Sequence, residues 1–210
     1  MTRFDCSVSR FQCSNNLIQH VQIQTQARFV LVVEKETVFQ RLEDMQFTER
    51  WQCILMTGQG FPSFDCRKLL RLLAEQTDLP ILGLFDHNPS GIEIFLTYKL
   101  GTPHGGVEGY LQTIEKLSWI GIFRSDIEEF ADPGSFKLIT DRDRSIIRKL
   151  EKDKYVMRDQ VILKELESIK SSGTKAEIEC INDSSFDTLV QLLLPRKILV
   201  HCGNWDTLPQ

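Results

Sequence analysis

The fold is decided by residues 79–91, LPILGLFDHNPSG, where an apolar run ends on an acid and a turn follows at once. An unbroken apolar run is typical of a strand that is buried on both faces of a parallel sheet. Asp86 ends the run, and Pro89 and Gly91 mark the turn. The apolar side chains after Gly91 recur at helical spacing, so the stretch predicts a strand, a turn and a helix in succession.

Two similar units precede this one. The apolar run 29–34 is followed by helical spacing over residues 36–45, and the run 53–57 is followed by a predicted helix over residues 64–76. Strands that alternate with helices at these intervals indicate an α/β fold with a parallel sheet flanked by helices. Val21 to Ile23 is compatible with a short edge strand.

The second half of the chain is less regular and predicts a mixed helical C-terminal extension. A glycine-rich loop is expected over residues 101–109. The other expected elements are a strand at 119–123, a helix at 126–130 capped by Ser125, a helix after Thr140 and Asp143, a helix from Met157 to Ile169 ended by Gly173, and a last helix capped by Ser185 and stopped by Pro195.

Composition narrows the function classes. The 210 residues have a formal net charge of −4 and a hydrophobic content of 41%, which is typical of a globular protein. DNA binding through an overall basic charge is excluded, so a nucleic-acid role would depend on local patches, a metal ion or another domain. The six cysteines form no metal-binding spacing and are expected to be reduced thiols. No apolar run has membrane-spanning length.

Two acids lie at the ends of predicted strands. Glu34 ends the first strand and Asp86 the third, and ligands of parallel sheets gather outside the carboxyl ends of the strands. Carboxylate oxygens without a histidine or thiolate cluster suit a hard cation such as Mg²⁺. From spacing alone, Glu34 could equally be a polar strand end and Asp86 a turn-capping residue. A P-loop is absent, because residues 58–62 lack its Gly-Lys-Ser/Thr ending.

Several motifs carry a family resemblance. They are VEKETVFQRL at residues 33–42, TGQGFP at 57–62 with Arg67 after it, and DHNPSGIEI at 86–94. In this order they resemble the Toprim domain of the A-type chain of topoisomerase VI and of its eukaryotic relative, the meiotic protein that makes DNA double-strand breaks. The similarity spans roughly residues 18–200, and residues 155–156, 175–178 and 194–195 look like the eukaryotic branch.

The resemblance implies an organisation and an activity. It implies a lead-in segment at 1–27, a Toprim (Rossmann-like) domain at 28–200 and a tail at 201–210, with the family's N-terminal winged-helix domain absent. The family forms double-strand breaks that initiate meiotic recombination, by attack of a tyrosine on a DNA phosphodiester beside Mg²⁺, with Mn²⁺ as a possible substitute. Double-stranded DNA, a second copy of the chain, a B-type subunit resembling GHKL ATPases, and other meiotic break factors are the implied partners, on chromosomes in the nucleus.

The resemblance also implies residue roles. Glu34 and Asp86 would be catalytic metal ligands, and Asn88 falls on the position of the family's third acid. Because Asn88 is neutral, the site would have one negative charge fewer. The implied DNA- or phosphate-binding residues are Lys35, Gly58, Gly60 and Arg67.

The chain departs from the family in its tyrosines. The family's nucleophile lies in the winged-helix domain in an arginine-rich context, and Tyr98, Tyr110 and Tyr155 all lack that setting, so we expect packing roles for them. This chain would then supply the metal-binding half of an active site, and whether it is an enzyme by itself stays open. The alternative is a degenerate or truncated Toprim chain that binds DNA or partners without catalysis. His87 is expected to be a turn residue, and Glu93 to face solvent or a basic side chain.

Overall fold

The computed structural model of the protein describes residues 22–101, 113–182 and 187–203. The central element is a four-stranded sheet in the order β2-β1-β3-β4, with every neighbouring pair parallel. Its strands are β1 (Phe29–Val33), β2 (Cys53–Thr57), β3 (Ile81–Leu84) and β4 (Leu117–Gly121). The predicted α/β fold, a parallel Rossmann-like sheet flanked by helices, is therefore confirmed.

Helices connect and flank these strands. The helices are α1 (Glu36–Asp44), α2 (Phe47–Trp51), α3 (Phe64–Gln76), α4 (Pro89–Leu100), α5 (Arg124–Phe130), α6 (Asp141–Leu150), α7 (Gln160–Ser172) and α8 (Leu194–Cys202). Shorter elements are the 3-10 turns Pro133–Ser135 and Ile178–Asn182, the π-helical turn Leu189–Leu193, and an antiparallel pair of β5 (Lys137–Leu138) with β6 (Thr174–Lys175). Helix α2 and the β5–β6 pair were not predicted from the sequence.

The burial of strand β1 explains why residues 29–33 are all apolar. It lies between β2 and β3, and all five of its residues are fully buried. Val30 and Val32 belong to the core on one face of the sheet, whereas Phe29, Leu31 and Val33 belong to the core on the other face. Because successive side chains of a strand point to opposite faces, a strand covered on both faces needs apolar residues at every position.

Helix ends follow local capping chemistry. The Ser63 hydroxyl accepts a hydrogen bond from the Cys66 N–H and begins α3. Thr140 and Asp143 form the predicted reciprocal capping box of α6. Gly173 ends α7 with φ of 66°, a backbone conformation that glycine adopts without steric penalty.

Three predictions in the second half of the chain are wrong. Helix α5 begins at Arg124 rather than after a Ser125 cap, because the Asp126 carboxylate accepts the Phe123 N–H one turn earlier. Helix α7 begins at Gln160 rather than Met157, because the Asp159 side chain caps its first N–H groups. Pro195 does not stop the last helix but lies in the first turn of α8, directly after the π-helical turn Leu189–Leu193.

Other predictions concern residues that lie partly outside the described ranges. Residues 22–27 form no strand, so the edge strand suggested at residues 21–23 is not formed in the part that the structure describes. Most of the glycine-rich loop, Tyr110 and Ser185 lie outside the described residues. The boundary drawn between residues 200 and 201 falls inside α8. Among the described helices, none combines the length and the apolar character needed to cross a bilayer.

Candidate functional site

The structure brings Glu34 and Asp86 together at the carboxyl edge of the sheet. Glu34 follows β1 and Asp86 follows β3, and these two strands are hydrogen-bonded neighbours. The Asp86 N–H donates to Glu34 Oε2 at 2.8 Å, and the Glu34 N–H donates to the Leu84 carbonyl at 3.1 Å. Both side chains are buried. Two carboxyl groups far apart in sequence therefore share one crevice, as the parallel arrangement requires.

The Asp86 carboxylate is held from several sides. Its Oδ1 accepts the backbone N–H of Ile178 at 2.9 Å. Its Oδ2 accepts the Asn88 side-chain amide at 3.2 Å and lies 3.2 Å from the ammonium of Lys35. These contacts fix the carboxylate in one orientation, which is the condition for a preorganised ligand.

The electrostatics of the pair are unfavourable for two ionised carboxylates. Burial raises the pKa of Glu34 above its usual range, and the neighbouring Asp86 raises it further. Burial also raises the pKa of Asp86, although Lys35 and the Ile178 N–H oppose this rise. Each added proton or cation relieves the repulsion between two buried like charges. The pair consequently favours a positive partner.

Lys35 is the positive partner that the structure records. Its ammonium lies 3.2 Å from Asp86 Oδ2, 3.2 Å from Glu177 Oε2 and 2.7 Å from Glu179 Oε2. Burial lowers the pKa of Lys35, but Asp86 and Glu179 outweigh burial and raise it overall. The predicted DNA-binding residue Lys35 thus faces carboxylates.

Residues 176–179, here called the crossing segment, pass over the site. The Ala176 N–H donates to the His87 carbonyl at 2.9 Å, and the Ile178 N–H binds Asp86. Glu177 and Glu179 were not predicted as site residues. The only sequence signal was that residues 175–178 resemble a family motif, which indicates a shared segment without indicating its contacts.

Asn88 adjoins the pair but has its side chain engaged. Its Oδ1 accepts the Gly91 N–H at 2.7 Å and caps α4, while its amide nitrogen donates to Asp86. The oxygen predicted to ligate a metal is therefore occupied as a helix cap, and its role as a ligand stays a prediction. Glu93 binds Lys149, with 2.6 Å between Oε1 and Nζ, as expected for a side chain facing a basic residue.

The glycine loop is tied to the same site through its backbone. The Gly60 N–H donates to the Glu34 carbonyl at 2.8 Å, and Gly60 has φ of +98°. A Cβ on Gly58 would lie 2.5 Å from the Tyr98 hydroxyl, so a side chain there has no room. The loop can therefore lie close to the Glu34 backbone and to Tyr98 because positions 58 and 60 are glycines.

Arg67 is the predicted phosphate-binding residue with the most unusual surroundings. It lies in the first turn of α3, only 4% of its surface is exposed, and burial lowers the pKa of its guanidinium. Within the described part of the chain, its Nε and Nη1 have no hydrogen-bond partner. A buried guanidinium with unsatisfied donors is costly, which makes Arg67 a candidate for an anion supplied from outside.

The tyrosines and His87 have packing positions where they are described. Tyr98 is fully buried, its ring packs against Phe85, and its hydroxyl lies 3.8 Å from the Cys66 sulfur. Tyr155 is partly buried against the same core. His87 is fully buried on the turn between Asp86 and Asn88, with its ring directed at α7.

The donor set fits a hard divalent cation in part. Glu34 and Asp86 supply oxygen ligands in one crevice, which is the chemistry that Mg²⁺ and Mn²⁺ accept. In the described residues, no group of three or more His, Cys, Asp or Glu side chains could hold a metal ion. Two carboxylates with waters and a phosphate would still suffice for Mg²⁺, which rarely uses an all-protein cage.

Comparison with known proteins places this arrangement in a sequence family. The family model that describes the Toprim domain of Spo11 and of the A-type chain of topoisomerase 6 matches residues 29–198. That range contains every predicted site residue and the crossing segment.

Individual relatives agree with the family match. The chain is 34% identical over 202 residues to mouse "Meiotic recombination protein SPO11", covering 95% of this chain and 50% of the relative. It is 36% identical over 174 residues to rice "Meiotic recombination protein SPO11-1", covering 82% and 46%. It is 32% identical over 177 residues to the A3 chain of DNA topoisomerase 6 from rice, covering 84% and 40%. The chain thus spans about half the length of these curated relatives.

Proposed function

Because the chain belongs to the Toprim-domain family of Spo11 and the A-type chain of topoisomerase 6, we propose that it supplies the metal-binding half of an active site that forms meiotic DNA double-strand breaks. The observation that carries the proposal is the buried contact between Asp86 and Glu34 at the carboxyl edge of the sheet. We further propose residues 28–200 as one Toprim domain.

In this function, Glu34 and Asp86 hold Mg²⁺ or Mn²⁺, and Asn88 is a third, neutral ligand if its amide turns away from Gly91. A divalent cation held there would neutralise negative charge that develops on a DNA phosphate during cleavage. Asp86 is the better-oriented ligand, since the Ile178 N–H and the Asn88 amide fix its carboxylate. Glu34 lies beside it, and its raised pKa in the metal-free protein makes both protonation states accessible near pH 7. It would serve as the second metal ligand when ionised, or as an acid toward the leaving oxygen when protonated.

The remaining predicted site residues contribute to phosphate binding. The close-packed glycine loop with Gly58 and Gly60 places backbone near Glu34. Arg67 offers two guanidinium nitrogens, Nε and Nη1, that have no hydrogen-bond partner among the described residues. Lys35 is bound to carboxylates here, so it reaches a phosphate only by leaving Asp86. Double-stranded DNA is the proposed substrate. The proposed partners in the nucleus are a second copy of the chain, other break factors and a B-type subunit.

Metal binding is tested by calorimetric titration of Mn²⁺ into the chain and into Asp86→Asn. We expect binding by the unmodified chain and at least a tenfold loss in Asp86→Asn, because half of the carboxylate pair is removed. Glu93→Gln is the matched control, since that carboxylate binds Lys149 outside the pair and should leave Mn²⁺ affinity unchanged. Equal affinity in the unmodified chain and Asp86→Asn would overturn the assignment.

Phosphate binding is tested by fluorescence anisotropy with a labelled DNA duplex in Mn²⁺. Arg67→Met keeps the apolar stem of the side chain and removes the unsatisfied guanidinium, so we expect several-fold weaker DNA binding and a smaller salt dependence. The control is Arg71→Met, because the Arg71 guanidinium is already paired with Glu75 on the surface of α3. Equal losses in the two variants would remove Arg67 from the proposed interface.

A second candidate function is a non-catalytic module that binds DNA or partners. Two observations favour it: the Asn88 oxygen is used as a helix cap, and the Lys35 ammonium already neutralises Asp86. Asn88→Asp discriminates between the two functions, because an aspartate caps α4 equally well and adds the charge that the family's third acid would supply. Mn²⁺ binding that appears only in Asn88→Asp would support the non-catalytic module.

A further inference from the structure

Outside the carboxylate pair, Glu165 is a buried acid that the proposed chemistry does not use. It lies on α7, with only 5% of its surface exposed. Its Oε2 accepts the Arg124 N–H at 2.9 Å and lies 3.2 Å from Nδ1 of His87. Burial raises the pKa of Glu165, but His87 and the Arg124 N–H outweigh burial and lower it overall. Glu165 is therefore a charged group inside the protein, stabilised by these two contacts.

His87 connects this buried charge to the candidate site. It is completely buried, and its backbone lies between Asp86 and Asn88. Its carbonyl accepts the Ala176 N–H from the crossing segment, while its ring faces Glu165. Residue 87 is thus held on one side by the crossing segment and on the other by α7.

The contact is short, yet it lacks the alignment of a full hydrogen bond, and His87 Nε2 has no partner within the described residues. The ring is located by packing and by its contact with the Glu165 carboxylate. A buried carboxylate that loses a polar neighbour is destabilised, so the two groups depend on each other. Removing the Glu165 carboxylate would take away one of the contacts that hold residue 87 and loosen the turn that carries Asp86.

We propose that Glu165 is a positioning residue for the metal site, acting through His87 on the Asp86–Asn88 turn. This inference rests on the proposed metal-binding function. In metal sites generally, groups that orient the ligands without touching the metal change affinity by 10–100-fold when removed. Here the chain of contacts runs from Glu165 to His87 and along the backbone to Asp86.

The experiment measures Mn²⁺ affinity by calorimetry for the unmodified chain, Glu165→Gln, His87→Gln and the double variant, well below their unfolding temperatures. We expect each single variant to bind Mn²⁺ roughly tenfold more weakly. The double variant should bind about as weakly as either single variant, because the two residues act as one unit. The conservative variant Glu165→Asp keeps the charge and should retain part of the affinity.

Asp126→Asn is the matched control. Asp126 is as buried as Glu165, but it binds Lys197 and the Phe123 N–H rather than His87. The Asp126→Asn protein should be less stable than the unmodified chain but should bind Mn²⁺ with the same affinity. A nitrogen-15 NMR spectrum of the His87 ring adds a readout that needs no metal: the Nδ1–H form should dominate in the unmodified chain and lose its preference in Glu165→Gln.

Each outcome decides the proposal. Unchanged Mn²⁺ affinity in Glu165→Gln, with only thermal stability lowered, would show that Glu165 is purely structural while leaving the proposed metal site intact. Equal losses of affinity in Glu165→Gln and Asp126→Asn would also overturn it, since the effect would then be general. If the unmodified chain binds no Mn²⁺, the metal-binding function and this inference fail together.

Discussion

The carboxyl edge of the sheet and the helices α6 and α7 both bury carboxylates, but the balance of charge around these groups differs. At the sheet edge, Glu34 and Asp86 are neighbours, and the pKa of each is raised although Lys35 and the Ile178 N–H also bind Asp86. On α6 and α7, Asp143 and Glu165 each meet a basic side chain and a backbone N–H, and the pKa of each is lowered. A basic neighbour and a backbone N–H therefore do not by themselves lower the pKa of a buried carboxyl group. At the sheet edge two buried carboxylates are neighbours, and the single ammonium of Lys35 does not offset their burial and the repulsion between them.

The largest expected effect tests whether backbone packing holds the carboxylate pair in place. In Gly91→Ala, the new Cβ would lie 2.4 Å from the Asp86 carbonyl oxygen, a rigid backbone atom. We expect a loss of about 3 kcal/mol or more in the free energy of unfolding, because α4 must move away from the turn. Urea denaturation measures it. Gly134→Ala is the control, because no atom lies within 4 Å of its added Cβ.

The next largest change in the free energy of unfolding is expected at Asp143, a buried carboxylate that is paired with a basic side chain. Asp143 binds the Lys175 ammonium at 2.6 Å and accepts the Thr140 N–H at 2.7 Å. Asp143→Asn should lower the free energy of unfolding by about 2–4 kcal/mol, since it removes the charge of the carboxylate and leaves the Lys175 ammonium without its partner, while the Thr140 cap of α6 is kept. Thermal and urea unfolding at pH 7 would check this. A loss below about 0.5 kcal/mol would mean that the pair is not stabilising and would weaken the comparison.

In the strand-end pair of Glu34 and Asp86, removing a carboxylate should raise the free energy of unfolding rather than lower it. The pKa of Glu34 is raised from 4.5 to about 7, so between these values the folded state binds more protons than the unfolded state. The free energy of unfolding should therefore fall as pH rises from about 5 to 8. Glu34→Gln removes the Glu34 share of this dependence, which dominates above about pH 6, and leaves the share of Asp86, whose pKa is raised from 3.8 to about 6. It should stabilise the metal-free protein by about 1–2 kcal/mol at pH 8. Parallel pH profiles for the two proteins would contradict the raised pKa.

The smallest effect is expected from the ion pair between Glu93 and Lys149. The Lys149 side chain is 76% exposed, whereas that of Glu93 is 17% exposed. Glu93→Gln should change the free energy of unfolding by less than about 1 kcal/mol, because water competes for the Lys149 ammonium and solvates it when the carboxylate is removed. The measurement is the same urea denaturation, and a strong salt dependence of the difference is expected. A change as large as that of Asp143→Asn would show that exposure does not separate these pairs.

Much of the sheet was predictable because its signals are local. The runs predicted as strands at 29–34 and 53–57 and the helix predicted at 64–76 agree with β1, β2 and α3 to within one residue. The wrong helix starts near 124 and 160 have a common cause, since Asp126 and Asp159 compete with neighbouring residues for the capping position. Single-residue competition of this kind is poorly resolved by periodicity.

The sequence alone determined that Glu34 and Asp86 end two apolar strands, and parallel pairing then requires their side chains to share one edge of the sheet. Tertiary structure alone decided what surrounds them. Lys35 meets Glu177 across 142 positions of the chain, and the Ile178 N–H reaches Asp86 across 92. Such contacts depend on how the C-terminal half folds back over the sheet, and no local pattern encodes that path. Strand ends are set by neighbours in the chain, whereas the charge balance of a buried pair is set by neighbours in space.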